Sequence, residues 1–345
     1  MGNGNTILVS ACGSSIGLEV LRSLRTAGRA ESIIGLEVSW SGESIAKEYC
    51  DEVIIVPRGD HPDYSSSLLS VLESRSIDIA FINTEPEIES IMEIRDELDV
   101  HLSCAYSKGL LACIDKKILH ERLAGLGITA RTESVESIAD IDLALNEFGS
   151  PVWLRCSKGP RGRGSIAIDD IEVANIWMRK IVGELGLGGG WMVHEYLPGR
   201  NLNWTSLWKN GELLMSATGE RLKYFLADVS ISGITGNVSH CRTVDEGGVI
   251  QVAMNAVLNA DPMPHGIYSV DLKENGKGVP LVTEINARQA FRPLLYSHAG
   301  ANFSSAFVDA FLYGVEIEGG TLDSAQTNWE MFRGMDIEPI FRKVD

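Results

Sequence analysis

The hydrophobic and polar positions of the chain change period several times. Residues 6–11 (TILVSA) form a short apolar run, and CGSSIG then leads into LEVLRSLRTAG, which Gly28 ends. The pattern predicts a strand, a tight turn and an amphipathic helix. Apolar runs at 32–38, 51–56 and 77–83 predict three further strands, with helices over 65–74 and 85–98. Strands that alternate with helices imply a parallel sheet with helices on both faces. This first unit ends near Tyr106.

The chain then reads differently. Helices are predicted over 115–127 and 137–148, followed by strands at 151–155 and 165–168 on either side of the loop SKGPRGRG. Asp169 and Asp170 can cap a helix running to about Leu185, GLGGG makes a flexible joint, and 191–197 (WMVHEYL) is a strand. Two strands between 203 and 218 surround the turn Lys209-Asn210-Gly211. The stretch 267–288 (IYSVDLKENGKGVPLVTEINAR) places two apolar runs about Asn275-Gly276, a strong hairpin signal, and a helix follows at 304–313.

Length and charge narrow what this pattern can do. At 345 residues the chain exceeds the size of one growing core, so two or three subdomains are expected. No run approaches the roughly 18 apolar residues of a membrane span. The N-terminus lacks a basic n-region and a full h-region, so it reads as a first strand and not as a signal peptide. Six cysteines without metal-type CxxC pairs fit reduced thiols in a cytoplasmic protein. A net charge of −17 opposes nucleic acid and anionic membranes. An anionic ligand then needs local cations or a metal, which makes the positions of Lys and Arg informative.

Residues two apart on a strand share a face, so Glu284 and Asn286 point the same way. Asp271 on the preceding strand can come near them, although the sequence leaves the register open. Two carboxylates and an amide oxygen are hard donors suited to Mg²⁺ or Mn²⁺. Arg288 returns to that face and offers a planar fork for phosphate oxygens. A solvated acidic strand with an arginine rim is the other reading of this stretch. The loop 157–164 holds Lys158, Arg161 and Arg163 among three glycines, which let backbone N–H groups approach phosphate. It is not a Walker A loop, and a basic surface turn remains its alternative. Arg155, ending an apolar strand, needs an anion or a carboxylate beside it. HEYLPG leaves its strand with backbone groups exposed, as recognition of an adenine edge requires, and Glu195 or a neighbour can take a ribose hydroxyl.

Other residues carry less. His194, His240, His265 and His298 lack metal-ligand spacing, and Cys156 and Cys241 read as packed thiols. Gly13-Ser14-Ser15-Ile16-Gly17 matches the G-x-S-x-G of a nucleophile elbow, which makes a serine hydrolase acting through Ser15 one alternative. That elbow needs an earlier strand for its oxyanion hole, however, so a close-packed strand-to-helix turn is the better reading. The same turn lacks the full G-x-G-x-x-G of a dinucleotide site.

Taken in order, these motifs resemble the ATP-grasp superfamily over nearly the whole chain, and most resemble short relatives of the carbamoyl-phosphate synthase large chain. Asp115-Lys116 matches the DK that opens the fold, and PVWLR with its loop matches the phosphate-covering strand and loop. HEYLPG matches the adenine hinge, with contacts around Glu195 and Leu197, and EINAR is similar to E-x-N-P-R. Asp271, Glu284 and Asn286 match the metal ligands. The resemblance implies an α/β and α+β protein: a pre-ATP-grasp parallel-sheet domain at 1–106, then a two-subdomain ATP-grasp fold at 107–318. Within it a lid covers about 120–193 and a C-terminal subdomain about 194–318, with 319–345 as an extension.

The resemblance also implies chemistry. ATP would be clamped by Lys116, Arg155 and the loop with Lys158, Arg161 and Arg163, and two Mg²⁺ ions would bridge its terminal phosphates with Glu284 as the bridging ligand. A substrate carboxylate would attack the γ-phosphate, and an amine or other nitrogen nucleophile would displace phosphate from the acyl phosphate. Arg288 would stabilise the moving phosphoryl group, with Arg221 and Arg292 on the acyl phosphate and substrate carboxylate. The implied partners are small-molecule carboxylates and amines, amino acids among them, and a homodimer is compatible with the pattern. Departures are the neutral Asn201 where an acidic ribose ligand is common, Ala287 in place of proline, and His194 in place of a first Glu. A nucleotide-binding regulatory protein of the same fold is the second alternative.

Overall fold

A computed structural model describes residues 5–29, 31–104, 109–158, 164–185, 190–230, 233, 235–317, 324–335 and 340–343. The first unit holds β1 (Thr6–Val9), α1 (Ser15–Thr26), β2 (Ser32–Glu37), α2 (Trp40–Ala46), β3 (Glu52–Ile55), α3 (Tyr64–Ser74), β4 (Ile79–Phe81), α4 (Glu85–Ile94) and β5 (His101–Leu102). Its strands lie in the order β3-β2-β1-β4-β5, and neighbouring strands pair in parallel. Ile7, Leu8 and Val9 are all fully buried, as expected of a parallel strand covered on both faces.

The turn into α1 explains the glycines of the elbow-like motif. A Cβ on Gly17 would stand 2.2 Å from the Ala11 carbonyl oxygen, and one on Gly13 would stand 2.5 Å from that of Gly42. Both positions need the missing side chain because backbone presses against them. Ser14 caps the helix, its Oγ accepting from Gly17 N at 3.1 Å.

Next come α5 (Leu110–Ile114) and α6 (Lys116–Leu123), the second capped by Asp115, which accepts from Lys117 N at 2.9 Å. A four-stranded antiparallel sheet follows, built from β6 (Thr132–Val135), β7 (Val152–Cys156), β8 (Ile166–Ile168) and β9 (Trp191–Glu195) in the order β6-β9-β7-β8. Its helices are α7 (Ile138–Phe148) and α8 (Ile171–Leu185), and it has a core of its own around Ile141, Val152, Leu154, Ala174 and Val193.

Among the described residues the largest sheet has seven antiparallel strands. They are β10 (Asn201–Lys209), β11 (Glu212–Tyr224), β12 (Val238–Thr243), β13 (Gly266–Glu274), β14 (Pro280–Asn286), β15 (Trp329–Phe332) and β16 (Ile340–Lys343), in the order β14-β13-β10-β11-β12-β15-β16. The helix α9 (Gly247–Ala260) packs on one face, and α10 (Pro293–His298) and α11 (Phe303–Leu312) follow β14. The stretch expected as an extension thus adds strands to this sheet. Leu8 and Ile34 of the first sheet share one continuous core with Trp204, Tyr268, Val270 and Val257, so the first unit is packed firmly against the largest sheet. Among the described residues no helix is long and apolar enough to cross a membrane.

Candidate active site

The expected hairpin is present, and its register brings the acidic pair together. Asp271 on β13 lies directly opposite Glu284 on β14, and Asn286 lies opposite Ser269. A bulge between Asp271 and Leu272 leaves Thr283 without a cross-strand partner, so Thr283 and Glu284 both line one cavity of about 670 Å³. Asp271, Asn286 and Arg288 line it too. The other walls come from β7 (Trp153, Arg155), β9 (His194, Glu195), β11 (Arg221, Lys223) and the first turn of α4 (Glu85).

Cations face both carboxylates. Arg155 Nη2 donates to Glu284 Oε2 at 3.1 Å, with Lys116 Nζ 3.6 Å from the same oxygen. Arg221 Nη2 donates to Asp271 Oδ1 at 2.6 Å, and Asn203 Nδ2 donates to that oxygen at 2.8 Å. Burial would raise the Glu284 carboxyl, but Lys116 and Arg155 together hold it far below the usual carboxylate range. Burial raises Asp271, with Arg221 opposing and the charge on Glu284 adding to the rise. The two acids therefore behave as a coupled pair, with Glu284 pushed down by its cations and Asp271 pushed up by burial.

Three buried hydrogen-bonding atoms on this wall lack partners among the described residues: Arg155 Nε, Arg288 Nε and His194 Nε2. His194 belongs to a small network. Thr132 Oγ1 lies 2.7 Å from His194 Nδ1, 3.2 Å from His120 Nδ1 and 2.9 Å from the Ala130 carbonyl oxygen. One hydroxyl proton satisfies all three contacts only if it goes to the carbonyl and both imidazoles donate from Nδ1. Both Nε2 atoms are then acceptors. Burial, reinforced by Arg155, pushes His120 down to about 4, and burial with the charges of His120, Arg155 and Lys116 pushes His194 lower still. Neither ring shuttles protons near neutral pH.

The sequence-derived candidates divide clearly. Lys116 and Arg155 meet at Glu284; Glu195, Leu197, Asn201, Arg221, Asp271, Glu284, Asn286 and Arg288 all line the cavity. The Glu195 side chain pairs with Arg131, and Asn201 Oδ1 accepts from Lys273 Nζ at 3.2 Å. Lys158 is 58 % exposed and 4.0 Å from Asp115, away from the cavity lining. Arg161 and Arg163 fall outside the described residues. Arg292 requires a correction. It is 2 % exposed, does not line the cavity, and its Nη1 donates to Glu19 Oε1 at 2.6 Å, so its charge is used between the first unit and the largest sheet. Glu85, 3.7 Å from Arg288, and Lys273 are cavity residues that sequence reasoning did not single out. Lys273 stands two residues beyond Asp271 on β13, a spacing that offered the signal.

Among the described residues no group of three or more His, Cys, Asp or Glu is assembled for a metal ion. The candidate set is two carboxylates and an amide. Its oxygens fit a hard divalent cation that takes few protein ligands and keeps water or phosphate in the remaining positions. Cations already occupy Asp271 Oδ1 and Glu284 Oε2, and Asn286 Nδ2 donates to Glu284 Oε1 at 3.5 Å, which leaves Asp271 Oδ2, the second lone pair of Glu284 Oε1 and Asn286 Oδ1 for a metal.

This arrangement, a parallel sheet followed by a small and a large antiparallel sheet with the cavity where they meet, is the ATP-grasp fold. The biotin carboxylase domain of a Hydrogenobacter thermophilus 2-oxoglutarate carboxylase, solved with MgADP, ADP and bicarbonate, matches 96 % of this chain and 74 % of its own at 13 % identity and a TM-score of 0.73. The N5-carboxyaminoimidazole synthetase of Staphylococcus aureus complexed with ADP matches 96 % of this chain and 83 % of its own at 15 % identity and a TM-score of 0.69. An L-amino acid ligase from Bacillus licheniformis matches 96 % of this chain and 79 % of its own at 12 % identity and a TM-score of 0.66. Neither the family models nor the curated proteins give a match. The narrower likeness to the carbamoyl-phosphate synthase large chain stays an expectation.

Proposed function

We propose that the protein is an ATP- and Mg²⁺-dependent ligase that activates a small carboxylate as an acyl phosphate and joins it to an amine or other nitrogen nucleophile. The observation that carries this reading is the cross-strand pair Asp271–Glu284, with Lys116 and Arg155 gathered on Glu284 at the wall of the cavity. The solved structures of the same fold support it, since MgADP, ADP and bicarbonate are named in them.

Asp271, Glu284 and Asn286 would hold the divalent cation, which offsets phosphate charge when bound. Lys116 and Arg155 are the cations placed to meet the phosphates beside it. The unpartnered Nε–H of Arg288 is a donor for a phosphoryl oxygen in the same cavity. The acceptor on His194 suits the amino group of adenine, next to the hinge residues Glu195 and Leu197. A site of this kind works by positioning reactants and stabilising charge more than by proton transfer.

Phosphate release is the assay, with ATP, Mg²⁺ and paired amino acids as acceptors. The ligase reading predicts ADP and phosphate that depend on an added carboxylate and on the metal, with chelation by EDTA abolishing both. ATP binding without turnover under any pair would favour the nucleotide-binding regulatory reading instead.

A further inference from the structure

Two cysteines of the first unit face each other across β2. Cys12 follows β1 in the turn to α1, where its N–H donates to the Leu36 carbonyl at 3.0 Å. Cys50 lies just before β3, where Asp51 N donates to the Ile33 carbonyl at 2.8 Å. Gly35 is the β2 residue between them. A Cβ there would stand 2.7 Å from Cys12 Sγ and 2.9 Å from Cys50 Sγ, so the absent side chain is what lets the sulfurs approach. Both sulfurs crowd the one point that a Gly35 side chain would fill. Any substitution at Gly35 would drive them apart.

The two thiols are unequal in ways that suit exchange chemistry. Cys12 is fully buried, whereas Cys50 is half-buried. Arg25 sits against Cys50, its Nε and Nη2 donating to the Tyr49 carbonyl at 3.1 and 3.0 Å. The neighbouring Cys12 thiol, with help from Arg25 and against burial and Asp51, holds the Cys50 thiol below its ordinary value. The other five cysteines go the opposite way, Cys12 among them. Burial pushes Cys104 up to about 11 and Cys241 up to about 12, and it raises Cys113 and Cys156 as well. A thiolate is the attacking species, so reactivity concentrates on one residue of six.

We propose that Cys50 and Cys12 form a thiol–disulfide exchange site, which takes a low-molecular-weight disulfide such as glutathione disulfide at Cys50 and resolves it with Cys12. The Cys50 thiolate attacks one glutathione sulfur and expels the other glutathione as a thiolate. Cys12 then attacks Cys50 Sγ, passing its proton to the departing second glutathione thiolate. Two protein thiols are oxidised, one glutathione disulfide is reduced to two thiols, and atoms and electrons balance. The buried position of Cys12 is no obstacle, because its target arrives already attached to its neighbour. This inference does not rest on the ligase reading.

The test is to treat the full chain with glutathione disulfide at neutral pH, alkylate the remaining thiols and map the peptides by mass spectrometry. The wild-type protein should give a Cys12–Cys50 cross-link with Cys104, Cys113, Cys156 and Cys241 alkylated. Cys12→Ala keeps an apolar buried side chain and should stop at a mixed disulfide on Cys50. Cys50→Ser should leave Cys12 alkylated only. A persistent glutathione adduct on wild-type Cys50, no reaction at Cys50, or glutathione addition at Cys113 as extensive as at Cys50 would overturn the proposal. Wild-type protein alone yields each of those outcomes, so a variant that folds poorly does not shield it.

Discussion

Glu284→Gln is expected to lower ADP formation by at least about 10²–10³-fold, the scale of losing a preorganised charge in a site of this kind. Glutamine keeps the size of the side chain and one oxygen but cannot carry charge. Lys116 and Arg155 would then face each other across a neutral amide, and the metal would lose a charged ligand. The variant should still unfold cooperatively, because Glu284 is 30 % exposed at a cavity wall and glutamine fills the same space. Steady-state ADP release and a thermal melt on the same preparation check both halves. Turnover within a few-fold of wild type would remove Glu284 from the metal site.

Arg292→Ala should have its large effect on stability instead. Arg292 and Glu19 are 2 % and 3 % exposed and joined at 2.6 Å, with Leu294 N and Arg333 Nε further from the same carboxylate. Removing the arginine leaves a buried carboxylate whose main partner has gone. Breaking such a pair costs about 3–5 kcal/mol. For a chain of 345 residues, with an unfolding entropy of about 2.1 cal/mol/K per residue, that corresponds to a melting point lower by roughly 4–7 °C. Because Arg292 does not line the cavity, MgATP affinity of the folded fraction should change by less than about twofold. An unchanged melting point with lost turnover would return Arg292 to the substrate.

These two arginines show what could be read from the chain and what could not. Arg288 and Arg292 are four residues apart and look equally suited to an anion in the sequence. The backbone separates them: Arg288 stays at the mouth of β14, whereas Arg292 sits at the start of α10, where Pro293 opens the helix and turns it toward α1. The hairpin itself was legible, since Asn275-Gly276 and the two-residue period fix which face Glu284 and Asn286 share. Its register was not, because the bulge at Thr283 depends on packing and not on local propensity. The parallel first sheet followed directly from its alternating runs. The helix α9 did not, although its buried residues Val249, Ile250, Ala253, Ala256, Val257 and Ala260 keep helical spacing. It begins with two glycines and carries no charged residue, so its usual boundary signals are missing. The Thr132, His120 and His194 network was invisible, because residues from a helix and two strands meet only in the folded chain.

Anomalous diffraction from crystals grown with Mn²⁺ and a non-hydrolysable ATP analogue addresses the site most directly. The manganese peak should fall between Asp271, Glu284 and Asn286, with the analogue's phosphates beside Lys116 and Arg155. A peak elsewhere, or an analogue bound outside this cavity, would contradict the account.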